Sequence, residues 1–246
     1  MKAADVKKAL AAFASPTRAH DLQWFFKTGP GEYGEGDKFI GLTVPKTRSI
    51  AAQFKDLPND ETYLLGTSPI HEHRLCALVI LVNRFEKSKD EKVRKAIFDT
   101  WMKLLREGHI NNWDLVDVSA HKIGGWLIGR PDAMKSLEKL AKSKKLWERR
   151  TSIIFTFAFM RAGSLDESLE IAELLVDDEH DLIHKAVGWM LREVGNRDVA
   201  ELRNFLSRFA ADMPRTMLRY AIEKLDTDER KVWMGKAAEV AGGSAS

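Results

Sequence analysis

Apolar residues recur at intervals of three and four along nearly the whole chain. The segments LCALVILVNRFEKS, VRKAIFDTWMKLLREG and HKAVGWMLREVG show this spacing clearly. A period close to 3.6 residues places apolar side chains on one face of an α-helix. No segment alternates apolar and polar residues as a half-buried strand would. The pattern predicts an all-α protein of about a dozen helices, each of roughly 10–18 residues.

Proline and glycine mark the predicted ends of these helices. Prolines suited to a first helical turn occur in Ser15-Pro16, Ser68-Pro69, Arg130-Pro131 and Met213-Pro214. The glycines predicted to close helices are Gly29, Gly108, Gly129, Gly163 and Gly195. Residues 29–37, GPGEYGEGD, hold four glycines and are predicted to form a loop. Residues 241–246 are expected to form a flexible tail.

The helices also recur as a longer unit. A basic residue precedes an apolar helical run at Arg74, Arg150, Lys185 and Arg219, and a helix near Trp113 falls midway between the first two. The resulting interval of roughly 35–40 residues is typical of the two-helix unit in HEAT-like repeats. Such pairs bury their apolar faces only by stacking on their neighbours. We therefore expect residues 1–240 to form a single domain, a right-handed α-solenoid with a concave face.

Composition is that of a globular protein, with 44% hydrophobic and 30% charged residues. The single cysteine, Cys76, has no partner for an internal disulfide, which favours a reducing, cytoplasmic setting. The N-terminal residues lack the apolar region of a signal peptide. The longest apolar runs are far shorter than a membrane span requires.

Charge adds a mild indication of nucleic-acid binding. The net charge is only +3, with a pI near 8.8. Basic residues cluster at Lys135–Lys145 and Arg149–Arg150, whereas acidic residues cluster between Asp166 and Asp181. A basic stretch of this kind suits the phosphate backbone. A solvated surface of mixed charge explains the same pattern, and charge alone does not separate the two interpretations.

The segment NNWDLVD, residues 111–117, carries the clearest candidate chemistry. Asn112 is a suitable helix N-cap, and Trp113 and Asp117 lie four residues apart on one helix face. A tryptophan beside a carboxylate offers a cation both a π-face and a countercharge. The alternative interpretation makes Trp113 a core or interface residue and Asp117 a solvated acid.

Two further helices carry candidate residues. Lys185 and Trp189 are four residues apart and share a face, although Trp189 also fits an apolar stripe. Arg149 and Arg150 open a helix, where one is expected to hold a phosphate and the other a carboxylate; two solvated arginines are the alternative. The tryptophans predicted to be packing residues are Trp24, Trp101, Trp126, Trp147 and Trp233.

The remaining groups of candidate residues give little indication of function. His180 and His184 have the spacing of two zinc ligands on a helix, but the sequence offers no third ligand, so we expect no metal site. His71 and His73 are predicted to belong to a solvated first turn. The glycine-rich loop lacks the lysine of a phosphate-binding loop, and no hydrolase motif is present.

Four segments together resemble a known family. They are YGEGDKFIGLTVPKTR (33–48), NNWDLVD (111–117), ERRTSIIFTFAF (148–159) and IHKAVGWMLREVG (183–195). In order and spacing they are similar to the AlkD-type DNA glycosylases, which are HEAT-like-repeat enzymes of alkylation repair. The resemblance extends from about residue 21 to residue 240.

The resemblance implies roles for individual residues. Trp113 and Trp189 would flank the lesion, and Asp117 would be the catalytic carboxylate. Arg150 would hold a phosphate near the lesion, and Tyr33, or Phe26 in its place, would match an N-terminal tyrosine of the family. The residues then expected to contact DNA are Arg150, Arg149, Lys185, Tyr33 and Arg48.

The expected function follows from these assignments. It is a monofunctional, cytoplasmic DNA glycosylase that removes cationic purines of the 3-methyladenine and 7-methylguanine type from double-stranded DNA. We expect it to act as a monomer, to associate with the nucleoid of a bacterial cell when bound to DNA, and to need no cofactor or metal. One alternative is a HEAT-like scaffold that binds DNA or protein without catalysis. Another is a protein-interaction solenoid with no role on nucleic acid.

Overall fold

The fold of the described chain is helical, as the periodicity predicts. A computed structural model describes the backbone of residues 1–243 and the side-chain surroundings of residues 1–235. Within these residues a single isolated bridge, between Lys38 and Ile70, is the only extended pairing. The all-α prediction is confirmed. The helices are α1 (Ala3–Ala11), α2 (Pro16–Phe25), α3 (Val44–Gln53), α4 (Asn59–Gly66), α5 (His71–Lys87), α6 (Glu91–Arg106), α7 (Trp113–Ile123), α8 (Ala133–Ala141), α9 (Leu146–Ala162), α10 (Asp166–Leu174), α11 (Asp181–Gly195), α12 (Val199–Phe209), α13 (Arg215–Ala221) and α14 (Thr227–Gly243), with a 3₁₀ turn at Gly124–Trp126.

Several helix ends follow the sequence signals. Helix α2 begins at Pro16, where the Ser15 side chain accepts a hydrogen bond from the Arg18 amide. Helix α9 ends at Ala162, and Gly163 follows it with a φ of 97°, a left-handed conformation that suits glycine. The loop predicted at residues 29–37 is present as a series of turns.

Other predicted ends are displaced. Helix α5 begins at His71 rather than at Pro69, because Ile70 is extended and pairs with Lys38. Helix α2 ends at Phe25, so Gly29 does not close it. Helix α14 extends to Gly243, so part of the predicted tail is helical, and residues 244–246 lie outside the described residues.

The chain divides into two compact units, Met1–Trp126 and Leu127–Ser246. The single domain predicted for residues 1–240, and its stacking into a solenoid with a concave face, stay predictions. No helix in the described part of the chain is long and apolar enough to cross a membrane.

Helix α5 is the centre of the first unit. It packs against α1, α3, α4, α6 and α7, and its run Leu75–Val82 is buried on every side. A helix that is apolar all round is one that neighbours enclose. Helix α7 packs against α5. It is also joined to α6 by a hydrogen bond from Trp101 Nε1 to Ser119 Oγ, at 2.9 Å. The N-terminal helix α1 packs on α3, α4 and α5.

The second unit repeats a helical pair. Helices α9, α11 and α13 pack in succession, and α8, α10 and α12 pack beside them. The first three begin at Leu146, Asp181 and Arg215, which are about 35 residues apart, as the repeat interval predicts. The close approach of α11 to α13 depends on Gly188, because a Cβ there would lie 2.5 Å from the Met217 carbonyl oxygen.

The tryptophans divide into buried and exposed sets. Trp101, Trp126 and Trp233 are buried, as predicted, and Trp147 is half-buried. The prediction for Trp24 is wrong, since its side chain is 83% exposed on α2. Helix α2 has no buried residue, so the spacing of its apolar residues does not mark a face that packs into a core.

Substituting Gly188 by alanine is expected to destabilise the second unit. The added methyl group meets the backbone of α13, which cannot move as a flexible side chain could, so the cost is about 1–3 kcal/mol. Gly235→Ala is the matched control, because Gly235 lies in α14 and no atom of the described residues lies within 4 Å of its Cβ position. That change should stabilise the helix by roughly 0.5–1 kcal/mol. Urea denaturation of the two variants measures both effects, and equal effects would contradict the packing argument.

Candidate active site

A cleft of about 540 Å³ opens in the first unit. Side chains from α2, α3, α5 and α7, and from the segment between α2 and α3, form its wall. Most of the wall is aromatic or apolar, with carboxyl groups contributed by α5 and α7 and guanidinium groups by α2 and α3. Trp113, Asp117 and Arg48 all line it. The structure thus brings three of the predicted residues to one cleft.

The start of α7 positions the first two of these residues. Asn112 is the N-cap, and its Oδ1 accepts a hydrogen bond from the Trp113 amide at 2.8 Å, as predicted. Trp113 and Asp117 then occupy successive turns of one face. The backbone carbonyl of Asp117 accepts a hydrogen bond from His121 Nδ1 at 2.7 Å. Helix geometry therefore carries an indole and a carboxyl group into the same cleft.

Aromatic rings form a continuous column along the cleft wall. The ring of Trp113 lies 5.4 Å from that of Phe26, and Phe26 stacks on Phe39 at 5.2 Å with an interplanar angle of 10°. Phe39 in turn stacks on the imidazole of His71 at 4.5 Å. Stacked rings present π-faces that attract a cation. Phe25 also contacts the indole at 6.1 Å, so Trp113 lies within an aromatic wall of the cleft.

Glu72 fixes the segment that carries Phe39. Its buried carboxylate accepts hydrogen bonds from the amides of Ile40 at 3.0 Å, Gly41 at 2.7 Å and Leu42 at 3.2 Å. Gly41 has a φ of 84°, and a Cβ there would lie 2.1 Å from the Ser15 carbonyl oxygen. Glycine is therefore required at this position. One carboxylate on α5 thus orders the chain that leads into α3.

His71 joins three parts of the unit at the back of the cleft. Its Nδ1 lies 2.8 Å from Asp37 Oδ2, and its Nε2 lies 2.8 Å from Asp114 Oδ2. Arg74, one turn further along α5, donates to the other oxygen of Asp37 at 2.5 Å and to Asn111 Oδ1 at 3.0 Å. The glycine-rich loop, α5 and the start of α7 are therefore tied together by buried charge.

The protonation of His71 follows from these contacts. Burial disfavours the imidazolium, but the charge of Asp114 and the hydrogen bonds to Asp114 and Asp37 outweigh burial and raise the pKa of His71 to about 9. Burial also opposes ionisation of Asp37, yet the hydrogen bond from His71 and the charge of Arg74 hold its pKa below the usual value. The imidazole is therefore charged at neutral pH and donates from both nitrogens.

The predicted solvated first turn of α5 is wrong. His71 is 2% exposed and His73 is 8% exposed. His73 Nδ1 lies 2.8 Å from Ser68 Oγ, and burial, with the nearby charges of Lys7 and Arg74, lowers the pKa of His73 to about 4. The unbroken apolar run after HEHR is the sequence signal for this burial. It indicates a helix enclosed on all sides, and the first turn of such a helix is enclosed as well.

The basic residues of the cleft lie on α2 and α3. Arg48 is exposed on α3 and lines the cleft, a position that suits its predicted contact with DNA. Arg18 of α2 lines it as well and was missed, because α2 shows no amphipathic pattern. Of the two aromatic alternatives, Phe26 lines the cleft, whereas Tyr33 is half-buried in the glycine-rich loop and is not among the lining residues.

Arginines of the second unit are engaged within that unit. Arg150 of α9 is buried and donates from Nη1 to the carbonyl oxygen of Leu182. Arg149 forms an ion pair with Asp178 at 2.6 Å, so this guanidinium holds the expected neighbouring carboxylate. The DNA contacts assigned to both arginines stay predictions.

Trp189 and Lys185 share one side of α11, as their spacing predicts. Trp189 is half-buried, with its ring 6.4 Å from that of Phe157 on α9. Lys185 pairs with Asp181 at 2.6 Å. The roles of both residues toward a lesion or DNA stay predictions.

The histidines with zinc-ligand spacing serve other contacts. His180 caps α11 by accepting a hydrogen bond from the Leu182 amide at 3.1 Å, and His184 Nε2 contacts the carbonyl oxygen of Asp178. Among the residues that the structure describes, no group of three or more histidine, cysteine or acidic side chains could hold a metal ion.

The chain is similar to DNA alkylation repair proteins in sequence and in fold. Residues 6–225 match the family model described as DNA alkylation repair enzyme. A solved structure described as a predicted DNA alkylation repair enzyme from Enterococcus faecalis has a TM-score of 0.67 and 15% sequence identity, covering 87% of this chain and 97% of that chain. No curated protein matches significantly. The structural likeness supports the fold, and the family model supports the family.

The two buried histidines of α5 are expected to give opposite pH dependences of stability. Because folding raises the pKa of His71 from 6.5 to about 9, its contribution is complete below pH 6.5 and is lost as the pH rises through 9. Because folding lowers the pKa of His73 to about 4, its contribution is present above pH 6.5 and is lost as the pH falls toward 4.

Urea denaturation between pH 4.5 and 9.5 tests both signs. In His71→Asn the free energy of unfolding should no longer fall as the pH rises above 6.5. In His73→Asn part of the fall below pH 6.5 should be absent. The slope attributable to one histidine is at most about 1.4 kcal/mol per pH unit. An alkaline decline that is unchanged in His71→Asn would show that the imidazole is not held as the cation.

Proposed function

The chain belongs to the DNA alkylation repair enzyme family, and we propose that it is a monofunctional DNA glycosylase for cationic alkylpurines. The family establishes an enzyme of alkylation repair with DNA as its partner. The proposal adds the reaction, which is hydrolysis of the N-glycosidic bond, and the substrates, which are lesions of the 3-methyladenine and 7-methylguanine type in double-stranded DNA.

One observation supports the reaction above the others. The indole of Trp113 and the side chain of Asp117 line the same aromatic cleft, one helical turn apart. A purine alkylated at N3 or N7 is cationic, so aromatic faces attract it, by about 1–2 kcal/mol per contact when water is excluded. A fixed carboxylate is the group that positive charge on a deoxyribose requires.

Water and Asp117 account for every bond and proton that changes in the proposed hydrolysis. The bond from C1′ to the purine nitrogen breaks, its electron pair goes to the base, and the base leaves uncharged because it began as a cation. Positive charge develops on the sugar, where Asp117 stabilises it. The oxygen of a water molecule bonds to C1′, and its proton passes to Asp117. The products are the free methylpurine and an abasic site.

The family resemblance also implies roles for two residues of the second unit. Trp189 is assigned to the flank of the lesion nucleotide, and Arg150 to a backbone phosphate, as the family resemblance implies. The Arg150 guanidinium is buried and donates to the Leu182 carbonyl oxygen.

The expected result with methylated duplex DNA is release of 3-methyladenine and 7-methylguanine by the wild type. Asp117→Asn should lower the single-turnover rate by about 100-fold or more, because the charge that stabilises the sugar cation is removed. Chromatography of the released bases measures both rates. The control is Asp99→Asn, which removes an exposed acid of α6 that pairs with Lys95. Release should be unchanged in that control.

Two outcomes would overturn the proposal or its central residue. Bound DNA without any base release by the wild type would favour the non-catalytic scaffold. Release by Asp117→Asn at the wild-type rate would remove the role assigned to that carboxylate.

Arg48→Gln is expected to weaken binding to duplex DNA through the phosphates. Arg48 is exposed at the cleft, so losing one phosphate contact should reduce the slope of log K against log salt by about 0.9 without unfolding the protein. Fluorescence anisotropy at several salt concentrations gives the slope. Lys87→Gln is the control, since Lys87 is exposed at the opposite end of α5 from His71. Equal slopes for both variants would place DNA elsewhere.

A further inference from the structure

Asp114 presents a second carboxyl group to the cleft, one helical turn before Asp117. Its Oδ2 accepts a hydrogen bond from His71 Nε2 at 2.8 Å. Its Oδ1 is buried and has no hydrogen-bond partner among the described residues. A buried acceptor without a partner is costly and calls for a donor. Because Asp114 lines the cleft, a molecule bound there can supply that donor.

His71 holds this carboxyl group in one orientation. The imidazole is clamped between Asp37 and Asp114, and Phe39 covers its face. Its position at the first residue of α5 puts a cation at the positive end of a helix dipole, which is unfavourable without such partners. The side chain of Asp114 is 15% exposed, so it has little freedom to turn toward solvent.

A water molecule that attacks C1′ needs two acceptors. If both hydrogens donate to fixed oxygens, a lone pair of the water is aimed at the sugar carbon, which is the geometry that bond formation requires. Asp117 is one such acceptor under the proposed function. Asp114 lies three residues earlier, on the neighbouring turn of the same helix face.

We propose that Asp114 is a second catalytic carboxyl group whose Oδ1 accepts the other hydrogen of the attacking water, and that His71 is the positioning residue that aligns it. The inference rests on the proposed glycosylase function and deepens it. In the step, the water oxygen bonds to C1′ as the glycosidic bond breaks. One proton goes to Asp117, and the other hydrogen stays on the new hydroxyl group while it is held by Asp114.

Asp114→Asn is the primary test. The amide keeps an oxygen for the Nε2–H of His71 and places an NH₂ group where Oδ1 stood, so an acceptor becomes a donor. We expect the single-turnover rate to fall by about 10–100-fold, with the dissociation constant for lesion DNA unchanged within about twofold. The loss should be the same for 3-methyladenine and 7-methylguanine, because water is common to both reactions. A loss confined to one base would show that Asp114 reads the base and would overturn the role in water positioning.

A double-mutant cycle tests whether His71 acts through Asp114. His71→Asn should lower the rate by about 10-fold, and the double variant should be no slower than Asp114→Asn alone, because both changes remove one function. Multiplied losses in the double variant would mean that His71 acts independently. His73→Asn is the matched control, since His73 is buried on the same helix and bonds to Ser68 rather than to the cleft residues. Its rate should equal that of the wild type.

The pH profile separates positioning from a purely structural role. The charged groups in contact with His71 are Asp37 and Asp114, and Arg74 bonds to Asp37. The other titratable or charged groups of the cleft wall are Glu72, Asp117, Arg48, Arg18 and His121. Loss of the imidazolium proton leaves one N–H for two carboxyl groups, so the wild-type rate should fall as the pH approaches 9. Asp114→Asn should show no such fall between pH 7 and pH 9.5. A fall of equal size in that variant would contradict the inference.

Different results would overturn the glycosylase proposal and the role assigned to Asp114. A wild type that releases no base removes the glycosylase proposal and this inference with it. A wild type that releases base, together with an Asp114→Asn variant that keeps the full rate, removes only the inference. Circular dichroism melting of each variant shows whether a lost rate reflects a lost fold.

Discussion

The buried ion network around His71 is the constraint on which the cleft depends. Asp37 belongs to the glycine-rich loop, His71 to the enclosed helix α5, and Asp114 to the first turn of α7. None of these segments is held to the others by regular hydrogen bonding, apart from the bridge between Lys38 and Ile70. The charges therefore tie the glycine-rich loop to the helix that carries Trp113 and Asp117.

A network of this kind is a costly way to gain stability. Desolvation of two charges often cancels their attraction, and apolar residues of similar volume stabilise a core at least as well. What apolar residues cannot supply is direction, since a hydrogen bond fixes an angle and dispersion does not. Here the angles orient the carboxyl group of Asp114 in the cleft wall. Position, rather than stability, is the physical reason to keep charge at this depth.

The sequence predicted local features of the site and missed long-range ones. The N-cap at Asn112 and the shared face of Trp113 and Asp117 follow from helix geometry, which operates over four residues. The pairing of His71 with Asp37 and Asp114 spans 34 and 43 residues and leaves no periodic trace. The same limit explains Trp24: its helix packs no residue into a core, so nothing in the local pattern distinguishes an exposed tryptophan from a buried one.

The arrangement of the helices was likewise predictable in part. The interval of about 35 residues between the starts of α9, α11 and α13 follows from the repeat pattern, because each pair needs the next to cover its apolar face. In the first unit a repeat pattern is not enough, since the loop before α3 is ordered by Glu72 and by the tight approach at Gly41. The local sequence pattern does not predict these contacts, because Glu72 lies 31 residues from the Gly41 amide that it binds.

The charge arrangement of the cleft meets two opposed electrostatic requirements of the proposed function. DNA is a polyanion, so uncompensated carboxylates in the wall would repel the phosphates that must approach it. A cationic lesion needs a carboxylate beside the sugar where positive charge develops. His71 and Arg74 compensate Asp37 and Asp114 within hydrogen-bonding distance, and three backbone amides take up the charge of Glu72. The charges of the wall around Asp117 are therefore compensated. Under the proposed function, the exposed guanidinium groups of α2 and α3 at the cleft attract phosphates over about a Debye length.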